Sequence, residues 1–242
     1  MAVRTGRRSA SHESIYGRRV RSSDVILTGV IYGCAAFSIL LLAGIMGYVF
    51  VRGIPHVTWS FLSTASSATK GTFGILGNII NTLYIVTITL LIATPLGIGS
   101  AVYLNEYARP GKAVRLIEFT TETLSGIPSI IFGLFGMVFF GNTLGLGYSI
   151  LTGALTLTLM ILPLITRTMP GILTGVILAI GRIVGESAAL LFTAGSGYYL
   201  PKSLLGKILE SGGTLTIQLY LFMQKAKYNK AFSVAVVLLV IM

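Results

Sequence analysis

Two long stretches without a charged residue constrain this chain more than any other feature. Residues 25–51 and residues 75–104 contain no Asp, Glu, Lys or Arg. A helix of about 20 apolar residues crosses the hydrocarbon core of a bilayer, so each stretch is long enough to span it. Only 10% of the 242 residues are charged and 54% are hydrophobic, whereas soluble domains are roughly 25% charged. The sequence therefore predicts an all-α integral membrane protein.

Shorter apolar segments complete the predicted topology. Residues 1–24 carry six arginines against two acidic residues, so we expect a disordered basic tail on the cytoplasmic side. A membrane domain covers residues 25–242 and has six predicted spans. These spans are residues 25–51, 75–104, 125–141, 148–166, 170–195 and 231–242. The last span has only 12 residues, too few to cross, so we expect it to be truncated at Met242.

The segment GRIVGESAAL (181–190) places two charges inside the fifth predicted span. On one continuous helix, Arg182 and Glu186 would share a face with Gly171 and Gly175. An arginine at the bilayer centre costs about 2.5–3.5 kcal/mol, and an apolar side chain would pack at lower cost. We therefore expect Arg182 to face a polar pathway, with Glu186 holding or tuning it. The alternative is a structural salt bridge between helices.

Other polar residues near the predicted spans have simpler interpretations. Arg167 ends the fourth span, where an arginine commonly anchors a helix by reaching the membrane interface. Asn78 and Asn81 lie one turn apart and are expected to form hydrogen bonds between helices. A pathway lined by arginine favours an oxyanion such as phosphate or sulfate, because the planar guanidinium matches its oxygens.

The residues also argue against several functional classes. The chain contains neither the G-x-x-x-x-G-K-[ST] motif of ATPases nor the H-E-x-x-H motif of zinc proteases. The Gly195–Gly197 turn lacks the strand-to-helix context of a catalytic serine. His12 and His56 lie outside the predicted spans. We therefore expect a non-catalytic chain without a metal, a cofactor or a nucleic-acid partner.

Five segments resemble type I ABC importer permeases, and in particular the PstA-type permeases of phosphate importers. They are NIINTLYIVTITLLIATPLGIGSAVYLNEYA (78–108), LSGIPSIIFGLFGMVFFG (124–141), LPLITRT (162–168), PGILTGVILAIGRIVGESAALLFTAG (170–195) and LTIQLYLFMQ (215–224). The pattern G-R-x-x-G-E-[ST]-A inside an apolar span is specific to these permeases. N-T-L followed by P-L-G is shared by many importers.

The resemblance implies a six-helix permease of the bacterial plasma membrane with a cytoplasmic N-terminus. A homologous PstC-type permease would complete a phosphate pathway, and a PstB-type ATPase pair would bind ATP and Mg²⁺. A PstS-type phosphate-binding protein would deliver inorganic phosphate, and membrane lipid would surround the helices. Within this chain, Arg167 and Arg182 would be pathway arginines and Glu186 their acidic neighbour. The alternatives are a permease for sulfate, molybdate or phosphonate, and a non-transporting membrane scaffold locked by an Arg182–Glu186 pair.

The sequence departs from the family at the connection between the fourth and fifth spans. Members of the family carry a cytoplasmic coupling segment there, with an E-A-A motif that docks on the ATPase. Here the residues ITRTMPGIL (165–173) run straight through. We therefore expect that a segment is missing from the sequence near positions 168–170, the alternative being a shortened form of the subunit. No residue of this chain is assigned to the ATPase contact.

Overall fold

The computed structural model describes residues 22–67, 72–167, 171–200, 203 and 206–242. The chain divides into two compact units, residues 1–47 and 48–242. The described part of the first unit belongs to helix α1 (Ser22–Gly53). All its described side chains from residue 23 to residue 47 are exposed, and the helix is long and apolar enough to cross a membrane. Residues 1–21 of the predicted basic tail lie outside the described part.

The second unit consists mainly of helices. They are α2 (Trp59–Ser63), α3 (Leu76–Val102), α4 (Lys112–Ser125), α5 (Ser129–Gly136), α6 (Ile150–Arg167), α7 (Ile172–Gly185), α8 (Ala188–Thr193), α9 (Leu215–Gln224) and α10 (Tyr228–Ile241). Short 3₁₀ turns cover Ile54–His56 and Gly206–Leu209, and π-helical turns cover Tyr103–Tyr107 and Met137–Thr143. Among the described residues, β1 (Ala65–Ser67) and β2 (Thr72–Ile75) pair antiparallel as the two arms of a small hairpin.

Three helices in the described part of the chain are long and apolar enough to cross a membrane. They cover Ser23–His56, Leu76–Tyr107 and Ile150–Arg167. The helices Lys112–Ser125 and Ser129–Thr143 meet at 103° and would make a fourth crossing if they form one broken span. Helices α7 and α10 have 14 residues each. The all-α membrane fold is confirmed, and the count of six spans is only partly confirmed.

Helices α3 and α6 pack against each other at the centre of the second unit. Thr89 Oγ1 of α3 donates a hydrogen bond to the Ala154 carbonyl of α6, at 3.5 Å. Gly97 faces Ile165 so closely that a Cβ atom at position 97 would lie 2.6 Å from Ile165 Cγ2. Small residues at such a contact let two helix backbones approach closely. Helices α4, α5, α7 and α8 also pack against α6, so this pair forms a central part of the second unit.

The assumption of one continuous helix over residues 170–195 is wrong. Helix α7 ends at Gly185, Glu186 has extended backbone angles, and α8 begins at Ala188. The break is stabilised locally, because Glu186 Oε1 accepts a hydrogen bond from Ala189 N at 3.1 Å. A side-chain acceptor at a helix start replaces the backbone bonds that the first N–H groups of a helix lack.

The connection between α8 and α9 folds back onto the start of α3. The Asn78 amide donates to Gly213 O at 2.9 Å, and the Asn81 amide donates to Gly197 O at 2.9 Å and to Gly213 O at 3.2 Å. Both asparagines are fully buried. The predicted hydrogen bonds between helices are wrong in their partner, because both amides bond to carbonyls of the loop between α8 and α9.

One lysine of this connection is buried. Lys207 is 1% exposed, and its Nζ donates to Tyr199 O at 2.8 Å. The same ammonium lies 3.5 Å from Glu210 Oε2. A buried ammonium requires such partners to offset its lost hydration, so Lys207 fixes the shape of the loop that covers α3.

Candidate functional site

Arg182 lies in the last turn of α7, three residues before the helix ends. Its side chain is exposed, although α7 is otherwise apolar. Within the described part of the chain, no carboxylate or hydrogen-bond acceptor pairs with its guanidinium. A positive charge is stabilised at the C-terminal end of a helix by the helix dipole. The helix dipole therefore stabilises the charge of the guanidinium, and the group is available to an anion or to a partner chain.

Glu186 does not pair with Arg182, in contrast to their expected shared helical face. Its carboxylate caps α8 through Ala189 N, and its carbonyl accepts a hydrogen bond from Thr216 Oγ1 at 2.7 Å. Glu186 thus joins the break between α7 and α8 to the first turn of α9. Broken helices often border the substrate site of a transporter, since they expose polar backbone groups inside the membrane.

Arg167 ends α6 and is exposed. It lines a cavity of about 280 Å³ together with Asn105, Glu118 and Glu122. No carboxylate of a described residue lies within salt-bridge distance of its guanidinium. The two glutamates lie four residues apart on α4, a spacing that puts both side chains on one helix face. The spacing is visible in the sequence, but it does not show that these glutamates lie beside Arg167, so neither was predicted as a site residue.

The structure does not bring the three predicted site residues into one cavity. The described residues that line the Arg167 cavity include neither Arg182 nor Glu186. A larger cavity of about 540 Å³ adjoins it and shares Leu104, Thr121 and Thr166. The walls of this larger cavity are mostly apolar, which does not suit an anion. Among the described residues, no three His, Cys, Asp or Glu side chains converge as a metal site would require.

Known proteins with similar sequences are membrane permeases. The probable ABC transporter permease protein YqgI of Bacillus subtilis is 36% identical over 208 residues, covering 72% of this chain and 71% of that protein. The phosphate transport system permease protein PstA of Pasteurella multocida is 30% identical over 200 residues, covering 67% and 70%. The PstA homolog of Mycoplasma pneumoniae is 32% identical over 243 residues, covering 84% of this chain and 36% of that protein.

The alignment with the Bacillus subtilis permease contains extra residues in the relative. The alignment has 208 positions, but these cover only 72% of the 242 residues of this chain, which is fewer residues than positions. The relative therefore has residues within the aligned stretch that this chain lacks. No protein-family model matches the chain, and no solved structure matches it. Identity of 30% or more over at least two thirds of two such permeases shows that this chain belongs to the ABC transporter permeases and is of the PstA type.

Proposed function

We propose that this chain is the path-forming permease subunit of an ATP-driven phosphate importer. The observation that carries the proposal is Arg182, an exposed guanidinium without a described partner on an otherwise apolar helix. Lipid is a poor environment for such a charge, whereas a water-filled anion pathway suits it. The names of the PstA relatives support phosphate as the anion.

In this proposal Arg182 binds phosphate through paired hydrogen bonds from its planar guanidinium. Glu186 acts as a positioning residue, since its carboxylate caps α8 and so holds the break that follows Arg182. Arg167 forms a second anion contact, and Glu118 and Glu122 in its cavity weaken the attraction. A transport site must release its ion as well as bind it, so the two glutamates would favour release.

The proposed orientation places the N-terminus and the Arg167 cavity in the cytoplasm. A homologous PstC-type permease would complete the pathway, a PstB-type ATPase pair would drive it, and a PstS-type protein would deliver phosphate. The coupling segment expected between residues 167 and 171 would supply the ATPase contact. Residues 168–170 lie outside the described part. The extra residues in the Bacillus subtilis relative support an omitted segment, and sequencing the gene across this point tests it.

Phosphate uptake by cells that lack their own importer tests the role of Arg182. We expect Arg182→Leu to abolish uptake at normal expression and Arg182→Lys to retain part of it, because lysine keeps the charge but loses the fork of donors. Arg115→Leu is the matched control, since Arg115 is an exposed helical arginine on α4. Uptake that survives Arg182→Leu would refute the assignment.

The two alternatives are separated by further measurements. An excess of sulfate, molybdate or phosphonate should leave uptake of labelled phosphate unchanged, and strong competition would assign the pathway to another oxyanion. In a non-transporting scaffold, the charges of Arg182 and Glu186 would contribute only to the stability of the fold. Because Glu186 caps α8, Glu186→Gln keeps an acceptor oxygen for Ala189 N while it removes the charge. Full transport in Glu186→Gln supports the positioning role.

A further inference from the structure

A basic cavity lies at the end of the second unit that carries the β-hairpin. It has a volume of about 270 Å³ and lies between the hairpin, the turn after α8 and the C-terminal end of α9. Its polar lining includes Ser196, Gln218, Lys225 and Lys227, and none of the described residues that line it is acidic. Two ammonium groups without a facing carboxylate favour an anionic ligand.

The Phe73 ring, which lines the cavity, contacts Lys227 and the neighbouring Lys230. Lys230 Nζ lies 3.3 Å from the centroid of the Phe73 ring, and Lys227 Nζ lies 5.2 Å from it. A ring face attracts an ammonium group by about 0.5–1 kcal/mol at an exposed site. Such contacts restrict flexible lysine side chains before a ligand arrives, which lowers the entropy lost on binding.

The positive charges of Lys227 and Lys230 lie close together beside the Phe73 ring. Lys230 precedes the apolar run 231–242, and burial, together with the nearby Lys227 charge, lowers the pKa of its ammonium group. Two positive charges near one ring repel each other. An anion bound between the hairpin and α9 would relieve this repulsion.

Two further polar groups of the cavity are available to a ligand. The Ser66 hydroxyl donates to Gly74 O at 2.7 Å and the Thr72 hydroxyl donates to Ala65 O at 3.2 Å, so both serve the hairpin. Neither the Ser196 hydroxyl nor the Gln218 amide forms a side-chain hydrogen bond within the described part of the chain. Both can donate to the oxygens of a tetrahedral oxyanion.

We propose that this cavity is a second oxyanion site, which holds inorganic phosphate before it reaches Arg182. The proposal rests on the proposed phosphate import, and it puts the cavity on the outer side of the membrane. A small concave site with several donors fits a small ion, whereas a protein partner would need about 800 Å² of surface. Helix α9 joins the two sites, since Gln218 lines the cavity and Thr216 binds the Glu186 carbonyl.

Protection of lysines from an amine-acetylating reagent tests this site directly. The full transporter in lipid nanodiscs is labelled in phosphate or in chloride at equal ionic strength, and acetylation at each lysine is followed by mass spectrometry. With phosphate at about ten times its Kd, acetylation of Lys225 and Lys227 should slow about tenfold, because the ligand-free fraction falls by that factor. Lys112 at the start of α4 is the internal control and should be unaffected.

Two labelling results would overturn the proposal. One is unchanged acetylation of Lys225 and Lys227 in phosphate. The other is an equal slowing at Lys112, which would mean that phosphate screens all lysines without occupying a site.

Uptake separates this proposal from the proposed function. Lys225→Gln with Lys227→Gln should lower uptake about tenfold at low phosphate, as expected for a loss of about 1.4 kcal/mol of binding, and high phosphate should restore it. Lys112→Gln should behave as wild type. Import by the wild-type chain without lysine protection would refute the second site alone. Lysine protection without import would support the site and refute the proposed function.

Discussion

The contact between Gly97 and Ile165 leads to a prediction that can be worked from the structure. A Cβ atom at position 97 would lie 2.6 Å from Ile165 Cγ2 and 2.8 Å from Ile165 Cβ, whereas carbon atoms pack best at about 3.5–4.0 Å. Ile165 is 2% exposed and has little room to move. Overpacking of this kind costs about 1–3 kcal/mol, and replacing a helical glycine by alanine returns about 0.5–1 kcal/mol. Gly97→Ala should therefore destabilise the protein by as much as about 2 kcal/mol.

Gly99 provides a matched control on the same helix. It also lies inside α3, but a Cβ atom there would meet nothing within 4 Å. Gly99→Ala should therefore raise the free energy of unfolding by about 0.5–1 kcal/mol, because alanine favours the helix and its methyl group meets no other atom. Unfolding of the purified protein by SDS in mixed micelles, followed by circular dichroism, measures both variants against wild type. Equal unfolding free energies for Gly97→Ala and Gly99→Ala would refute close packing of α3 against α6.

Substitutions at three further residues test other contacts by the same unfolding assay. Glu186→Ala removes the cap on Ala189 N and should cost about 0.5–2 kcal/mol, whereas Glu186→Gln should cost less, so equal losses would contradict the capping role. Asn81→Leu removes the two hydrogen bonds to Gly197 O and Gly213 O and should cost about 1–3 kcal/mol, and proteolysis within the loop should become faster. Lys207→Ala removes the ammonium that binds Tyr199 O and leaves a cavity, so a loss of about 2 kcal/mol or more is expected. An unchanged free energy of unfolding in Lys207→Ala would mean that the buried Lys207 side chain does not stabilise the fold.

The three long apolar helices followed from the sequence, but the break at Glu186 did not. Long uncharged runs have only one stable backbone form in lipid, so α1, α3 and α6 were predictable. The four-residue spacing of Arg182 and Glu186 is compatible with one continuous helix as well as with a break between them. In the structure the Glu186 carboxylate binds Ala189 N, and the helix is broken. A carboxylate can pair with an arginine or cap a helix, and the choice depends on backbone geometry that residue types do not encode.

The partners of individual polar residues also needed the fold. Asn78 and Asn81 were expected to form hydrogen bonds between helices, but their acceptors are carbonyls of a loop more than 110 residues away along the chain. The carboxylates of Glu118 and Glu122 meet the Arg167 cavity only because α4 packs against α6. Nothing in the apolar pattern places those two elements together.

By itself, the sequence determined that this protein is an α-helical membrane protein and marked Arg167, Arg182 and Glu186 as charges in or beside apolar spans, whereas the permease assignment came from its resemblance to a known family. Hydrophobic length and charge cost are properties of residues and short segments, so they can be read without a fold. Only the tertiary structure decided that Glu186 caps α8, that Lys207 is buried and that the lysines after α9 surround a cavity beside Phe73. Those facts depend on contacts between distant segments, since a side chain's partner is set by how the chain packs.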